Sequence, residues 1–338
     1  MGSNNLQDKP VFICGHPKSG TSLVRSILDS HPQLIVYPEE TAFFRRFLPL
    51  AKGKPFERQI TLAEETLIHF FTWNQSNPPP SQAGFPDRDY SYISYESVRD
   101  AMIQFLHQDF RDERDFLSAA VMAFGHVRGQ SIENSLRWVE KSPYNEFYAQ
   151  EIFSWWPDAR CIHVVRDPRD NFISYQQKHP NWSPEFFTAN WKRSSQSGLN
   201  NRDKYGSKSV LLIRYEDLVN EPSKRIQEIM AFLGIDWDPS LITPTRAGTQ
   251  WQGNSMFADQ FNGISTAPIG RWKDKLTPVN ALVIHYMAQP INEIFQYQPI
   301  SPKPAFYQTL NARSRVITWS LKKGLSKFVR LNPFTEGD

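Results

Sequence analysis

Two stretches of this chain combine residue types and spacings suited to holding anions. The first, Gly15-His16-Pro17-Lys18-Ser19-Gly20-Thr21-Ser22, follows an apolar run at 11–15 and opens a run with Leu23, Ile27 and Leu28 at helical spacing. A glycine-containing turn between a strand and a helix aims backbone N–H groups at an anion. Gly20 permits close backbone approach, and Thr21 and Ser22 offer hydroxyls beside the positive end of the helix dipole. A nucleoside-triphosphatase loop would read G-x-x-x-x-G-K-[ST]. Here Thr21 takes the lysine position, and the lysine stands three residues earlier, at Lys18. A triphosphate recruits Mg²⁺ through the loop Ser/Thr and a further acidic residue, yet no predicted strand ends in the aspartate that this role needs. A less charged transferring group requires only a lysine aimed at its bridging oxygen, without metal. A degenerate triphosphatase or kinase loop is the competing reading.

The second stretch, CIHVVRDPRD at 161–170, reads as a strand meeting a helix. Asp167 suits the N-cap and Pro168 the first helical position. Arg166 leaves the strand end, where its guanidinium fork can grip a phosphate through two parallel hydrogen bonds. Ser174 lies about 9 Å along the helix axis from Pro168. Alone, this stretch is equally well explained as a capped helix start with surface charges.

Candidate acids and bases lie between the two. Glu140-Lys141-Ser142-Pro143 ends a third apolar run, at the carboxyl edge where open α/β sheets bind ligands. His31-Pro32 is followed by Pro38-Glu39-Glu40-Thr41. Glu39 and Glu40 are candidate bases, or else acidic residues placed favourably at a helix N-terminus. His31 reads as part of a helix-terminating pair, His16 as a loop residue within reach of a ligand, and His163 as core.

Five apolar or β-branched runs must position these groups: 11–15, 34–37, 137–140, 161–165 and 210–215. Such continuous runs predict strands buried on both faces. Helical patterns fall between them, at 21–30, 41–50, 62–73, 144–156, from Pro168 onward and at 222–233. The alternation predicts a three-layer α/β/α fold with a central parallel sheet. Residues 1–300 are expected to form one domain, with 43–135 a helical and loop insertion shaping an acceptor site, and 301–338 a basic tail. The stretch 74–95 lacks periodicity, and reads as a surface loop or an acceptor-binding insertion. In the tail, Ile317, Leu321, Leu325 and Phe328 share a helical face, with Lys322, Lys323, Lys327 and Arg330 elsewhere. Such a helix fits weak contact with an anionic membrane surface, or packing on its own domain. A net charge of +3 is too small to argue for nucleic acid. Cys14 and Cys161 fall inside predicted strands, which argues for a reducing compartment. Neither a leader pattern nor a membrane span is legible, and a cytoplasmic protein is expected.

Pro17-Lys18-Ser19-Gly20-Thr21-Ser22 resembles the 5′-phosphosulfate loop of the sulfotransferases that use 3′-phosphoadenosine 5′-phosphosulfate (PAPS). The Arg166–Ser174 spacing is similar to that family's 3′-phosphate clamp. The resemblance implies a P-loop nucleotide-binding, sulfotransferase-like fold, with PAPS as donor, 3′-phosphoadenosine 5′-phosphate (PAP) as product and no metal. It implies that Lys18, Ser19, Gly20, Thr21 and Ser22 hold the 5′-phosphosulfate, and that Tyr215 of the 213–218 element approaches the adenine. Ser255 and Arg271 resemble the late loop that covers the nucleotide. Lys141 would reach the transferring sulfuryl group and Lys18 the leaving group. Steroid- and phenol-type members carry a catalytic histidine where this chain has Pro143. The Glu-Glu-Thr segment is instead similar to that of tyrosylprotein sulfotransferases and their bacterial relatives, whose base is a glutamate. Matching the motif selects Glu40 and counting from His31-Pro32 selects Glu39; Glu40 is preferred. The implied reaction is in-line transfer to a hydroxyl of a small molecule, glycan or lipid headgroup. A peptide tyrosine is the alternative acceptor, and a non-catalytic nucleotide-binding protein a third reading. Oligomeric state is not legible.

Overall fold

The computed structural model describes residues 6–73, 88–253, 257, 261 and 263–325. Five strands, β1 (Pro10–Cys14), β2 (Leu34–Val36), β3 (Arg137–Lys141), β4 (Arg160–Val165) and β5 (Val210–Arg214), form one sheet. Their spatial order is β2-β3-β1-β4-β5 and every neighbouring pair is parallel. The chain steps to one side of β1 for β2 and β3, then to the other for β4 and β5. The crevice where an open α/β sheet binds ligands therefore lies at the carboxyl end of β1, where the glycine-containing loop begins.

The strands are apolar throughout because successive side chains enter two different cores. Val11 and Ile13 of β1 join Val139 and Ile162 against α1 (Thr21–Asp29). Phe12 and Cys14 point the other way, to Trp138, Trp156 and Cys161. That second core is covered by α2 (Tyr95–Asp109) and α3 (Arg114–Val127), of which α3 packs on β2 and β3. Residues 43–135 thus supply part of one helical layer. The same face carries α4 (Ala149–Trp155), whose Ile152 joins that core, and α6 (Pro184–Tyr205), which packs on β5, while α5 (Pro168–Gln176) packs against α6. On the α1 side lies α7 (Pro222–Leu233), burying Ile226, Ile229, Met230 and Leu233 as its spacing predicts.

Several boundaries differ from expectation. The helix expected over 41–50 begins at Phe43, as a wide turn (Phe43–Phe47) running into Leu48–Ala51. The one expected over 62–73 is the end of Phe56–Ala63 followed by a wide turn and a tight one. α6 has no obvious apolar stripe, since it buries Ser194, Ser195 and Gly198 beside Phe187 and Trp191. Gly198 is required there, because a Cβ would stand 2.6 Å from the His163 ring. A later helix, α8 (Pro278–Met287), carries the C-terminal helix α9 (Phe306–Leu325). No described helix is long and apolar enough to cross a membrane. Residues 74–87, within the unpatterned stretch, and 326–338, the end of the basic tail, lie outside the described residues.

Candidate active site

β1 leads into a tight loop in which Gly15 (φ 133°), Lys18 (φ 65°) and Gly20 (φ 104°) adopt positive φ. A Cβ on Gly20 would lie 2.4 Å from the Tyr215 ring, so only glycine lets the loop approach that ring. Other elements fix the loop backbone. The Gly15 N–H donates to Glu146 at 3.1 Å, Asn171 Nδ2 donates to the Pro17 carbonyl at 2.8 Å, and Arg166 Nη1 donates to the Lys18 carbonyl at 3.1 Å. Glu146 is itself buried, which raises its pKa, and it accepts from Ser194. The Ser19 hydroxyl is buried without a protein partner. The first N–H groups of α1, which no helix can pair internally, open onto the same place.

Arg166 stands at the end of β4, where the Asp167 carboxylate caps α5 through the Arg169 N–H. Its Nη1 lies 3.4 Å from Ser174 Oγ, its Nη2 donates to the Pro268 carbonyl at 2.9 Å, and the guanidinium lies 4.7 Å over the Tyr215 ring. Its Nε is buried without a partner, and no carboxylate among the described residues pairs with it. The charge is therefore available to a ligand. Lys18, Gly20, Thr21, Ser22, Arg166, Ser174, Tyr215 and Arg271 line one cleft, which encloses about 700 Å³ including open solvent. Ser19 is not among the lining residues, and Ser255 is outside the described residues. Trp251, Phe257 and Phe261 complete the lining, aromatics that sequence reasoning passed over inside a glycine-rich stretch. Asp170 anchors this cover by accepting from the Gly270 and Trp272 N–H groups, at 2.7 and 3.0 Å.

Glu39, Glu40 and Thr41 point to three different anchors. The buried Glu39 carboxylate accepts from Tyr90 at 2.9 Å and Arg246 at 2.6 Å, with Arg88 at 3.3 Å. Thr41 Oγ1 donates to Glu140 at 2.8 Å, and the same carboxylate accepts from Ser142 and from Asn145. Glu40, held between these ties, pairs with the Lys141 ammonium at the end of β3. The Glu40 side chain remains 41% exposed while that of Lys141 is 4% exposed. Burial pushes the Glu40 carboxyl up, but Lys141, joined by Arg88 and Arg25, outweighs it and brings the group to about 2. Burial lowers Lys141 despite the opposing field of Glu40. Lys18 falls to about 8, chiefly through burial; Glu40 pulls it up while Lys141, Lys178 and Arg88 push it down.

The histidines divide as their surroundings dictate. His31 has both ring nitrogens taken by backbone, accepting from the Gln33 N–H and bonding the Asp236 carbonyl, each at 3.1 Å. Burial holds His163 near pKa 4. His16, likewise near 4 through burial, packs on Phe187 and bonds the Pro17 carbonyl.

This geometry has counterparts. The profile described as the sulfotransferase family matches residues 10–239, from the first strand past the 15–22 loop and the 166–174 segment. The chain belongs to the sulfotransferase family. It is 25% identical over 242 residues to protein-tyrosine sulfotransferase A of Caenorhabditis elegans, which covers 69% of this chain and 51% of that protein. It is 22% identical over 263 residues to the omega-hydroxy-beta-dihydromenaquinone-9 sulfotransferase of Mycobacterium tuberculosis, covering 68% and 64% respectively. This sulfotransferase chain spans about half the length of the first of these relatives. The sulfotransferase domain from the curacin biosynthetic pathway superposes with a TM-score of 0.52 at 20% identity, over 86% of this chain and 98% of that one. At that identity the likeness concerns the fold alone.

Arg246 is expected to be structural. Arg246→Met leaves the buried Glu39 short of its nearest cation, which should cost about 3 kcal/mol, read as a lower denaturant midpoint. Adding Glu39→Gln should recover most of that loss; a single variant as stable as the parent would contradict the assignment.

Proposed function

We propose that this sulfotransferase uses PAPS as donor and transfers its sulfuryl group to an acceptor hydroxyl, releasing PAP. The observation that supports this reading is one cleft lined by Lys18 and the α1 N-terminus together with Arg166 and Ser174. A nucleotide phosphorylated at both 5′ and 3′ positions would satisfy both groups of residues together. The buried Ser19 hydroxyl and the Arg166 Nε, neither with a protein partner, are the donors such a ligand would satisfy. Bound there, PAPS would supply an electrophilic sulfur and a phosphate leaving group.

The chain's own groups then divide the work. Glu40 takes the acceptor's proton as its oxygen bonds to sulfur, and Lys18 neutralises the charge left on the phosphate when the S–O bond breaks. Lys141 serves both sides of the exchange. In the ligand-free pair it keeps Glu40 a weak base at about 2. Turning toward an anionic ligand, it would release that hold, moving Glu40 toward the pH range where a base works best. Glu39 has neither freedom nor exposure for this task. The acceptor is read as a hydroxyl of a small molecule, glycan or lipid headgroup. A peptide tyrosine in acidic surroundings is the second reading. It is favoured by the similarity to protein-tyrosine sulfotransferase A and by the cations whose fields reach Glu40 and Lys18, Arg88 and Lys178.

Two outcomes are expected. In an assay of acceptor-dependent PAP release, Glu40→Gln lowers kcat by roughly 10²–10⁴ while PAP affinity stays within a few-fold. Glu39→Gln lowers stability more than kcat; the reverse pattern would assign the base to Glu39. The second concerns pH. Lys18 carries its charge below about 8 and loses it above, so PAP affinity should fall as pH rises through that region. Because a bound anion favours the ammonium, binding above pH 8 should take up a proton, measurable in buffers of different ionisation enthalpy. Lys18→Arg should remove both effects; a pH-independent affinity in the parent would contradict them.

A further inference from the structure

We propose that the outward face of α9 is a docking surface for an anionic lipid bilayer. This helix is apolar on two opposite sides. On one, Ala312 is fully buried and Val316 partly buried against Leu282 and Val283 of α8. Arg315 fastens the same side, pairing with Glu185 at 2.7 Å and donating to Asn280 at 2.8 Å. At about 100° per residue, Phe306, Leu310, Ile317 and Leu321 fall on the opposite side. They are 83, 59, 58 and 64% exposed. Exposed apolar residues on a soluble surface are ordinarily scattered singly. Here, with Tyr307, they form a stripe along one helix, and the remaining large exposed apolar side chains of the described residues are spread over the rest of the molecule.

Charge selects the occupant. Between Glu293 and Glu336 the sequence contains no aspartate or glutamate, while lysine or arginine occurs at 303, 313, 315, 322, 323, 327 and 330. Arg313 is exposed beside the stripe, and Lys322 is exposed nearer the Glu185–Arg315 pair. A second copy packed stripe to stripe would set two such basic, acid-free segments against each other. An anionic bilayer surface instead neutralises them while the aromatic and aliphatic side chains enter the headgroup–acyl boundary. Since no described helix can span a membrane, the contact lies in the interface plane.

The test is sedimentation of the intact chain with vesicles of phosphatidylcholine containing phosphatidylglycerol, and with vesicles of phosphatidylcholine alone. Binding is expected to the anionic vesicles, to weaken with salt, and to be far weaker on the neutral ones. Leu310→Glu with Ile317→Glu should reduce it at least tenfold without changing the melting temperature. Leu321→Gln is the milder control if that pair disturbs folding, and should weaken binding by several-fold. Neutralising Arg313 to Gln should cost roughly fivefold. Absence of binding to anionic vesicles at low salt would overturn the proposal. So would undiminished binding by the glutamate variant. A dimer in light scattering that the glutamate variant converts to monomer, with no vesicle binding, would identify the stripe as a self-association surface instead.

Discussion

Lys18 and Lys141 are held, largely buried, at the carboxyl edge of one parallel sheet, where burial works against both staying charged. Arg166 stands nearby with no described carboxylate to pair with it. Isolated cations removed from water are expensive, and Glu40 is the carboxylate set directly against this group. Much of the surrounding structure keeps these charges in place. Carbonyl groups of the phosphate loop and of the cover accept from Arg166, and the Tyr215 ring stacks beneath it. The arrangement is poised for an anion to complete it, which is the physical basis for reading the cleft as a phosphate and sulfate site.

A second layer of buried carboxylates does the positioning. Glu140 draws Thr41 and Ser142 to the end of β3, Glu146 ties the phosphate loop to α6 through Ser194, and Asp170 binds the cover segment to α5. Burial raises the pKa of all three, yet each accepts several hydrogen bonds that oppose the shift. The Glu-Glu-Thr segment shows why such anchoring matters. Its two glutamates are adjacent in sequence but meet opposite fates. Glu39 is immobilised among Arg246, Tyr90 and Arg88, and Glu40 is left partly exposed, paired with Lys141.

Most of the sheet was legible because its strands are short, continuous apolar runs, and the loop and clamp because their chemistry is local. Residues 18, 20, 21, 22, 166 and 174 line one cleft with 215 and 271, to which the family resemblance pointed. What escaped notice depends on distant partners. Nothing near Glu140 or Glu146 announces a ligand-shaping role, since Thr41 and Gly15 lie some hundred residues away in sequence. Arg246 looks like any surface arginine until it reaches Glu39 from a two-stranded hairpin, Thr245–Arg246 with Thr249–Gln250. α6 was missed because it packs through small and polar residues, a pattern with no apolar periodicity. Counting could not separate Glu39 from Glu40, because what makes their surroundings differ, Arg246 and Tyr90 for one and Lys141 for the other, lies far off in the sequence.

The claim on which the account turns is that one cleft recognises phosphate at both ends of an adenosine. Calorimetry comparing PAP with ADP tests it directly, because the two nucleotides carry the same number of phosphates and differ in where the second one sits. PAP should bind far more tightly than ADP, and Arg166→Ala should abolish that preference while leaving ADP affinity nearly unchanged. Equal affinity for the two nucleotides, or no binding of PAP, would contradict it.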